Sequence, residues 1–294
     1  MPGAARVTAP ASPPETAVFV GAARNCAAFL PAALERWKEL AGLFREAHFL
    51  VAENDSTDAT KQILADWARG ASDRRVLTLD GLAQSAGSRP EAIAAARNAL
   101  LDAVRADPRL AAARYLIVMD LDDASLAVTA RRLARCMRAP GWDGLFANQL
   151  FVYRDVWALR DARRSPDDFV PWLEAAPAGW RRRWARLRHL NWRNRPVWPF
   201  GRPFPVRSAF GGLAVYRMDV ALHGRYEGRR DGRLICEHVP FNEMLVDKGA
   251  RLLLHPGLIN MVPMPIYRLA RRWNERSGGP RRGAAGAQGR STRA

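Results

Sequence analysis

The stretch that decides the fold is Val118-Met119-Asp120-Leu121-Asp122-Asp123, in which carboxylates follow directly after an apolar run. Residues 115–119 predict a buried strand, so the acidic side chains come where the chain leaves the sheet. In open α/β sheets, ligands bind outside the carboxyl ends of the strands. Two carboxylates one residue apart at that place suit a hard divalent cation whose shell is completed by substrate phosphates. The stretch therefore predicts that Asp122 and Asp120 bind Mn²⁺ or Mg²⁺.

Strand-like and helix-like segments alternate through the first half of the chain. Short apolar runs predict strands at residues 17–22, 49–52, 76–79 and 115–119, and helical spacing of apolar residues predicts helices at residues 27–44, 56–67 and 91–105. Strands separated by helices of this length indicate βαβ units. We therefore predict an α/β fold, with a Rossmann-like, mostly parallel sheet flanked by helices in a single domain.

The remaining segments set the predicted boundaries of that domain. Residues 129–137 and 240–248 predict helices, and residues 251–254 predict a last strand. Residues 1–15 are rich in Ala and Pro without the apolar region of a signal peptide, and predict a flexible leader. Residues 271–294 are rich in Gly, Ala and Arg, and predict a disordered basic tail. The predicted domain, residues 16–270, divides into halves at residues 123 and 124.

The composition limits the class of protein. With 294 residues and 48% apolar residues the chain can build a substantial core. It has no apolar run of the roughly 18 to 20 residues that span a bilayer. Cys26, Cys136 and Cys236 are odd in number and widely spaced, which argues against a disulfide framework or a zinc site and favours a reducing cytosol.

The net charge of +17 comes mainly from the predicted tail, where residues 276–294 hold five arginines and no acidic residue, and from an insertion, residues 160–207. The second part of the insertion, residues 180–207, holds nine arginines and no acidic residue, interleaved with tryptophans. Such a segment suits an anionic membrane surface, because aromatic rings settle at the headgroup level and cations bind the headgroups. A solvated insertion without a partner is the alternative. We predict that it brings a cytoplasmic protein to the inner face of the membrane.

The second predicted strand ends in Glu53-Asn54-Asp55-Ser56-Thr57-Asp58. Short acceptors at a strand-to-helix junction can bind a nucleobase and ribose hydroxyls. The alternative is a capped helix with acidic residues in its first turn, to which Ser56 and Thr57 are well suited. Glu53 precedes any such cap and is the stronger candidate for nucleotide binding.

Four motifs in the first half resemble the GT-A glycosyltransferases of the family-2 type: Val20-Gly21-Ala22-Ala23-Arg24-Asn25, the Glu53–Asp58 cluster, Ala96-Arg97-Asn98 and Asp120-Leu121-Asp122. The resemblance implies a nucleotide-sugar-binding half, in which the acidic cluster binds base and ribose and Asp-x-Asp binds metal and diphosphate. It assigns nucleotide-sugar contacts to Ala23, Arg24, Asn25, Glu53, Asp55, Arg97, Asn98 and Asp120. Glu53 departs from the Asp that many members carry.

Three later motifs resemble bacterial relatives of the fungal capsule-associated mannosyltransferases: residues 153–160, 208–217 and 236–242. They implicate Phe210, Gly211 and Gly212 in acceptor binding, where the glycines let the backbone approach a ligand or simply turn the chain. Glu237 becomes the candidate general base if the reaction inverts the anomeric centre, or a positioning residue if it retains it. His238 becomes a candidate third metal ligand.

The function predicted from these features is metal-dependent transfer of a hexose, with mannose as the candidate, from a nucleotide-diphosphate sugar to a glycan or lipid-linked acceptor. One alternative is a nucleotidyltransferase, but residues 20–25 hold one glycine, whereas that class needs a Gly-rich loop after its first strand. A second is a nucleic-acid-binding protein that uses the Arg/Trp stretch. A third is an inactive binder with the same fold. We expect no nucleic-acid partner.

Overall fold

A computed structural model describes residues 15–122 and 125–261 of the chain, which fall within one compact unit. The predicted disordered tail, and all but the last residue of the predicted leader, lie outside the described residues. The strands are β1 (Thr16–Ala23), β2 (Glu46–Glu53), β3 (Arg74–Thr78), β4 (Tyr115–Met119), β5 (Gly144–Gln149), β6 (Phe204–Pro205), β7 (Leu213–Arg217), β8 (Arg229–Arg230), β9 (Arg233–Leu234) and β10 (Leu252–Met261). Eight of them form one sheet, and β8 and β9 form a separate two-stranded sheet.

The helices connect and cover these strands. They are α1 (Leu30–Ala41), α2 (Thr60–Ala68), α3 (Leu82–Ser85), α4 (Arg89–Ala106), α5 (Pro108–Ala111), α6 (Ala130–Met137), α7 (Val170–Ala175), α8 (Trp180–Ala185), α9 (Met218–Ala221) and α10 (His238–Asp247), with a π-helix at Arg186–Asn191. Among them, α4 is preceded by the cap residue Ser88, whose hydroxyl accepts the backbone N–H of Glu91, so a side-chain cap fixes its first turn.

The main sheet has the order β3-β2-β1-β4-β7-β5-β10-β6. Strands β1 to β4 pair in parallel, as the βαβ pattern predicts. Strand β7 inserts between β4 and β5 and runs antiparallel to both. Its amino end therefore lies beside the carboxyl end of β4, where the backbone N–H of Asp120 donates to the carbonyl of Gly212 at 3.1 Å. The predicted α/β fold with a mostly parallel sheet is confirmed.

Apolar side chains fill both faces of the sheet. On one face Trp37 of α1 stacks on Phe49 of β2, with ring centroids 6.0 Å apart, and both contact Phe19 of β1. Leu100 and Leu101 of α4 belong to a continuous buried cluster with strands β1, β2 and β4. Burying a side chain of this size contributes about 1.5 to 3 kcal/mol. The core thus holds the carboxyl ends of β1, β2 and β4 in fixed register.

The basic insertion, residues 160–207, is folded rather than free in solvent. Arg193 is buried, and its guanidinium bonds the hydroxyl of Ser165, the carbonyl of Asp167 and the Asp167 carboxylate. The arginines of α8 and several aromatic residues remain exposed. Within residues 15–122 and 125–261, no helix is both long and apolar enough to cross a bilayer.

Candidate active site

A cleft of about 670 Å³ opens at the carboxyl ends of β1 and β4 and is closed on its other side by the segment before β7 and the start of α10. The structure brings many of the predicted site residues together in its walls: Ala23, Arg24, Arg97, Asp120, Asp122, Phe210, Gly212, Glu237 and His238. The other predicted residues, Asn25, Glu53, Asp55, Asn98 and Gly211, do not line it. The antiparallel insertion of β7 explains why residues from both halves of the sequence meet here.

Arg97 lies at the centre of the cleft and is buried. Its Nη2 is 3.0 Å from Oδ1 of Asp120, and its Nε is 3.2 Å from Oε1 of Glu237. The guanidinium lies over the rings of Phe210 and Tyr226. Burial alone would lower the pKa of Arg97, but the two carboxylates outweigh burial and raise the pKa above its ordinary value. Arg97 therefore carries a permanent charge that joins the two carboxylates.

Asp120 and Asp122 follow β4, and their carboxylates add negative charge to a cleft that already holds Glu237. Burial raises the pKa of Asp120 to about 7, Arg97 opposes the rise, and the nearby carboxylates, Asp122 first, add to it. Asp122 is exposed at the mouth of the cleft. The strand end thus concentrates carboxylates whose mutual repulsion a bound cation would relieve.

Asp155 lines the cleft although the sequence did not mark it as a candidate site residue. Its Oδ2 accepts the backbone N–H of Gly211 at 2.8 Å. Burial raises the pKa of Asp155 to about 6 despite that hydrogen bond, and Glu237 raises it further. The only sequence signal was its place inside the motif at residues 153–160. A carboxyl group with this pKa changes charge close to neutral pH, which suits proton transfer.

Two arginines that the sequence did not single out also line the cleft, Arg89 at the start of α4 and Arg154 beside Asp155. With Arg24 they are exposed, and none of the three forms an ion pair with a carboxylate in the described part of the chain. Guanidinium groups of this kind bind phosphate oxygens through paired N–H donors. They provide the cleft with donors for an anionic ligand.

His238, the first residue of α10, is buried with its ring stacked on Phe210 at a centroid distance of 3.8 Å. Burial, and then Arg97, hold the pKa of His238 well below its usual range, so the imidazole is neutral. Neither ring nitrogen has a hydrogen-bond partner within the described residues, and Nε2 lies 3.6 Å from Oε1 of Glu237. A neutral imidazole with unpaired nitrogens is chemically able to bind a cation.

Asn25 contacts the loop that follows β2. Its Oδ1 accepts the backbone N–H of Thr57 at 2.8 Å, and its own backbone N–H donates to the Ser56 hydroxyl at 3.0 Å. These bonds join the loops after β1 and β2. They also engage the two residues predicted to cap the next helix, which instead begins at Thr60.

The acidic residues after β2 stabilise their own loop. Oε1 of the buried Glu53 accepts the backbone N–H of Ser56 at 2.8 Å. The carboxylate of Asp55 accepts the backbone N–H groups of Gly81 and Ala83 at 2.6 and 2.7 Å, and these bonds lower its pKa. The carboxylates of Glu53 and Asp55 thus bind loop backbone, and Asn54 is the residue of the Glu53–Asp58 cluster that lines the cleft.

Asn98, predicted to contact the nucleotide sugar, does not line the cleft, and its amide bonds the backbone of Tyr226. Its amide nitrogen donates to the carbonyl of Tyr226, and its amide oxygen accepts the backbone N–H of the same residue, both at 2.9 Å. The side chain faces a chain segment from the second half rather than the cleft. Asn98 therefore fixes the position of Tyr226, whose ring lies against Arg97.

Gly211 does not line the cleft, and its conformation has a packing cause. Its φ is +66°, and a Cβ at this position would lie 2.4 Å from the carbonyl oxygen of Ala147. Gly212, which does line the cleft, also has a positive φ. For this glycine pair the sequence suggests approach to a ligand or a turn, and the structure adds a third constraint at Gly211, its close approach to β5.

We expect Gly211→Ala to destabilise the protein by about 3 kcal/mol, because the new methyl group would combine backbone strain with a clash. Gly232→Ala is the matched control: its φ is +76°, and no atom lies within 4 Å of the new Cβ. That variant should lose only about 1 kcal/mol. Chemical denaturation measures both changes, and equal losses would refute the contact with Ala147.

The residues present fit a cation that binds together with a diphosphate. Within the described ranges, no three His, Cys, Asp or Glu side chains converge closely enough to enclose a metal ion on their own. Two carboxylates after a strand leave further positions for phosphate oxygens. Asp120 and Asp122 are the side chains that would hold it, whereas the predicted third ligand, His238, does not form a three-residue metal site with them in the described part of the chain.

The sequence model of Glycosyl transferase family 2 matches residues 20–221. The chain belongs to this family. The match spans most of the described residues and includes the four motifs quoted from the first half of the chain. It confirms the predicted GT-A glycosyltransferase class and gives no support to the nucleotidyltransferase or nucleic-acid-binding alternatives. The narrower resemblance to relatives of the fungal capsule-associated mannosyltransferases stays a prediction.

Solved structures of glycosyltransferases are similar to this chain at low identity. Mannosyltransferase PcManGT from Pyrobaculum calidifontis, in complex with GDP-Man and Mn²⁺, is 16% identical, with 89% of this chain and 61% of that chain covered and a TM-score of 0.47. S. aureus TarS 1-349 is 14% identical, with 88% and 64% covered and a TM-score of 0.46. The chain thus spans less than two thirds of the length of either. No curated protein matches it.

Proposed function

We propose that this protein transfers a hexose from a nucleotide-diphosphate sugar to the hydroxyl group of an acceptor. The observation that carries the proposal is the cleft, where carboxylates after β4 meet exposed arginines within the segment matched by the family. Arg24, Arg89 and Arg154 bind the diphosphate, and Asn54 contacts the nucleoside. The cleft's volume of about 670 Å³ is in the range of small-molecule sites.

We propose Mn²⁺ or Mg²⁺ as cofactor, held by Asp122 and Asp120, with the remaining positions filled by phosphate oxygens of the donor. When bound, such an ion supplies positive charge that stabilises the leaving diphosphate. The role of Arg97 does not depend on the cation. The fixed charge of Arg97 keeps Asp120 oriented and compensates the charge of Glu237 in the same wall of the cleft. His238, packed on Phe210, keeps its position through stacking.

Transfer with inversion needs a carboxylate as general base, which takes the proton of the acceptor hydroxyl. The hydroxyl oxygen then forms the new glycosidic bond as the bond from the sugar to the nucleoside diphosphate breaks. Glu237 and Asp155 both line the cleft. The Glu237 carboxylate is already engaged in an ion pair, since its Oε1 lies 3.2 Å from Nε of Arg97. Asp155 accepts one backbone hydrogen bond and has a pKa of about 6. We therefore assign the base to Asp155 and a positioning role to Glu237.

A panel of nucleotide sugars, assayed with and without Mn²⁺ or Mg²⁺, tests the proposed function. Release of a nucleoside diphosphate from one donor, dependent on the cation, is the expected result and names both sugar and base. Mannose is the sugar that the capsule-type motifs favour. If the purified protein binds a nucleotide sugar without cleaving it in the presence of sugar acceptors, it is a binder with the same fold.

We further propose that the protein acts on a glycan or lipid-linked acceptor at the cytoplasmic face of the membrane. Trp180 and Trp184 on α8 are exposed beside the exposed Arg181, Arg182 and Arg183. Aromatic rings next to cations suit the boundary between headgroups and acyl chains. Each cation near an anionic surface adds about 1 kcal/mol of binding free energy.

We expect the protein to co-sediment with anionic but not with neutral liposomes, and salt to weaken the binding because it screens exposed charges. Changing Arg181, Arg182 and Arg183 to Ser should abolish co-sedimentation. The matched control changes three exposed arginines of the α6 region, Arg131, Arg135 and Arg138, to Ser. If both triple variants lose binding equally, net charge and not α8 determines it.

A further inference from the structure

A second cavity, of about 820 Å³, lies beside the edge strand β6 and the amino end of β10. It shares no lining residue with the cleft. Strand β10 runs parallel to β5, and both run in the direction of β4 because β7 is antiparallel to β4 and β5. The amino end of β10 is therefore at the opposite end of the sheet from the carboxylates of the cleft. Glycosyl transfer at the cleft leaves this cavity unexplained.

The walls of this cavity are strongly basic. They contain one carboxylate, Asp161, and five arginines: Arg163, Arg164, Arg195, Arg207 and Arg251. Arg207 is compensated by Asp247, at 2.9 Å. The other four form no ion pair with any carboxylate in residues 15–122 and 125–261. An excess of uncompensated guanidinium groups in one concave site attracts an anion.

Two of these arginines are held in place before any ligand binds. The guanidinium of Arg164 donates to the carbonyls of Arg195 and Pro196 at 2.9 and 3.1 Å. Arg195 in turn stacks over the ring of Trp192 at 4.1 Å. Burial, and then the charge of Arg195, lower the pKa of Arg164. Prior fixation of this kind reduces the entropy cost of binding.

The remaining wall is apolar. Phe204, Val206, Val246 and Leu252 line it, and Trp198 and Phe200, on the segment that leads into β6, are largely exposed. A simple inorganic anion would gain nothing from this surface, whereas a phosphate joined to an apolar chain would use both walls. Phosphate also offers more oxygens and more charge than a carboxylate to several guanidinium groups at once.

We propose that this cavity binds an amphiphilic phosphate, with the phosphate on the arginines and the apolar chain along β6 and α10. The site is separate from the cleft, so the proposal does not depend on glycosyl transfer. Its natural source is either a membrane lipid or a free phosphorylated amphiphile, and both present the same group to the arginines.

Isothermal titration of the full chain tests the proposal with three probes: dihexanoyl phosphatidic acid below its micelle concentration, dihexanoyl phosphatidylcholine and inorganic phosphate. We expect saturable one-to-one binding of phosphatidic acid, competition by inorganic phosphate at higher concentration, and no binding of phosphatidylcholine. Equal affinity for phosphatidic acid and inorganic phosphate would overturn the role of the apolar wall. Absence of saturable binding by phosphatidic acid would overturn the site.

Variants locate the binding. Arg163→Gln with Arg251→Gln, both exposed, should weaken phosphatidic acid binding by about tenfold or more, since a charge-assisted hydrogen bond contributes about that factor. Phe204→Ala should weaken phosphatidic acid but not inorganic phosphate. Arg131→Gln with Arg135→Gln, both exposed on α6, is the charge-matched control and should change neither. Equal losses in the two double variants would assign the effect to net charge and refute the cavity, and Arg163→Gln alone repeats the test if the pair reduces folding.

Separating the two sources of phosphate needs liposomes. We add vesicles that contain phosphatidic acid and measure whether they displace the short-chain probe. Displacement from the wild type, but not from the Arg163→Gln and Arg251→Gln variant, would identify the phosphate of a membrane lipid as the ligand. Vesicles that bind without displacing the short-chain probe would leave a free phosphorylated amphiphile as the ligand.

Discussion

Asp122→Asn is expected to lower cation-dependent cleavage of the nucleotide-sugar donor by about 10² or more. The exposed carboxylate follows β4 at the mouth of the cleft, where a divalent cation and the donor diphosphate would meet. Loss of a ligand charge there removes several kcal/mol of stabilisation from the leaving group. Steady-state release of nucleoside diphosphate, measured across a range of Mn²⁺ concentrations, quantifies the loss.

Asp231→Asn is the control for this variant. Asp231 is exposed and has a φ of +51°, a conformation that Asn tolerates. It is far from β4 in sequence and does not line the cleft, so this variant makes the same chemical change away from the proposed metal site. Both variants should unfold at the wild-type temperature. Near-normal turnover by Asp122→Asn at every Mn²⁺ concentration would show that Asp122 is not a metal ligand.

Asp155→Asn is expected to lower kcat by about 10² to 10⁴, the range for removal of a general base. The base must be ionised, so wild-type activity should fall as the pH drops through about 6, the pKa of Asp155. The variant should lose this acidic limb in its pH profile. Measurement of kcat and kcat/KM between pH 5 and 9 tests both effects.

Stability provides a check on the Asp155 variant. The pKa of Asp155 is raised on folding, so the native state binds its proton more tightly than the unfolded chain between the two pKa values. The ionised carboxylate therefore opposes folding at neutral pH, and this cost disappears as the pH falls below the unfolded pKa. The Asn side chain keeps an oxygen for the N–H of Gly211 and carries no charge. Asp155→Asn should thus be no less stable than the wild type at pH 7.

Glu237→Gln is the matched comparison at the second carboxylate. Its charge compensates Arg97, so we expect weaker donor binding and a smaller loss of kcat, with the acidic limb retained. The reverse pattern, in which Glu237→Gln removes the acidic limb and Asp155→Asn leaves it in place, would return the role of base to Glu237.

Strands β1 and β4 could be predicted because burial on both faces leaves them almost wholly apolar. Residues 115–119 are the clearest example, since the predicted strand and β4 share the same bounds. The position of β7 could not be predicted, because nothing in its own residues specifies an antiparallel partner on either side. The fold class could be predicted from the apolar pattern of single segments. The order of the central strands in the sheet could not, because it depends on how the whole chain packs.

A site residue could be predicted where its position at the end of a strand places it in the cleft. It could not be predicted where its role depends on a hydrogen-bond partner from a distant part of the sequence. Asp120 follows a strand and lines the cleft as expected. Asn98 follows Arg97 in the same motif, but the backbone of Tyr226 engages both atoms of its amide. Asp155 needed the fold to bring it near Gly211. Contacts between residues this distant in sequence leave no local pattern.

The antiparallel course of β7 has a consequence for building chimaeras between relatives. The carbonyl of Gly212 accepts the N–H of Asp120, and all five residues of β4 pair with β7. The central strand of the first half therefore has a strand of the second half as its hydrogen-bonding partner. A crossover at residue 124 would place one parent's β4 against the other parent's β7. Exchangeable modules in this fold must therefore carry β4 and β7 from the same parent, even though nearly one hundred residues separate them.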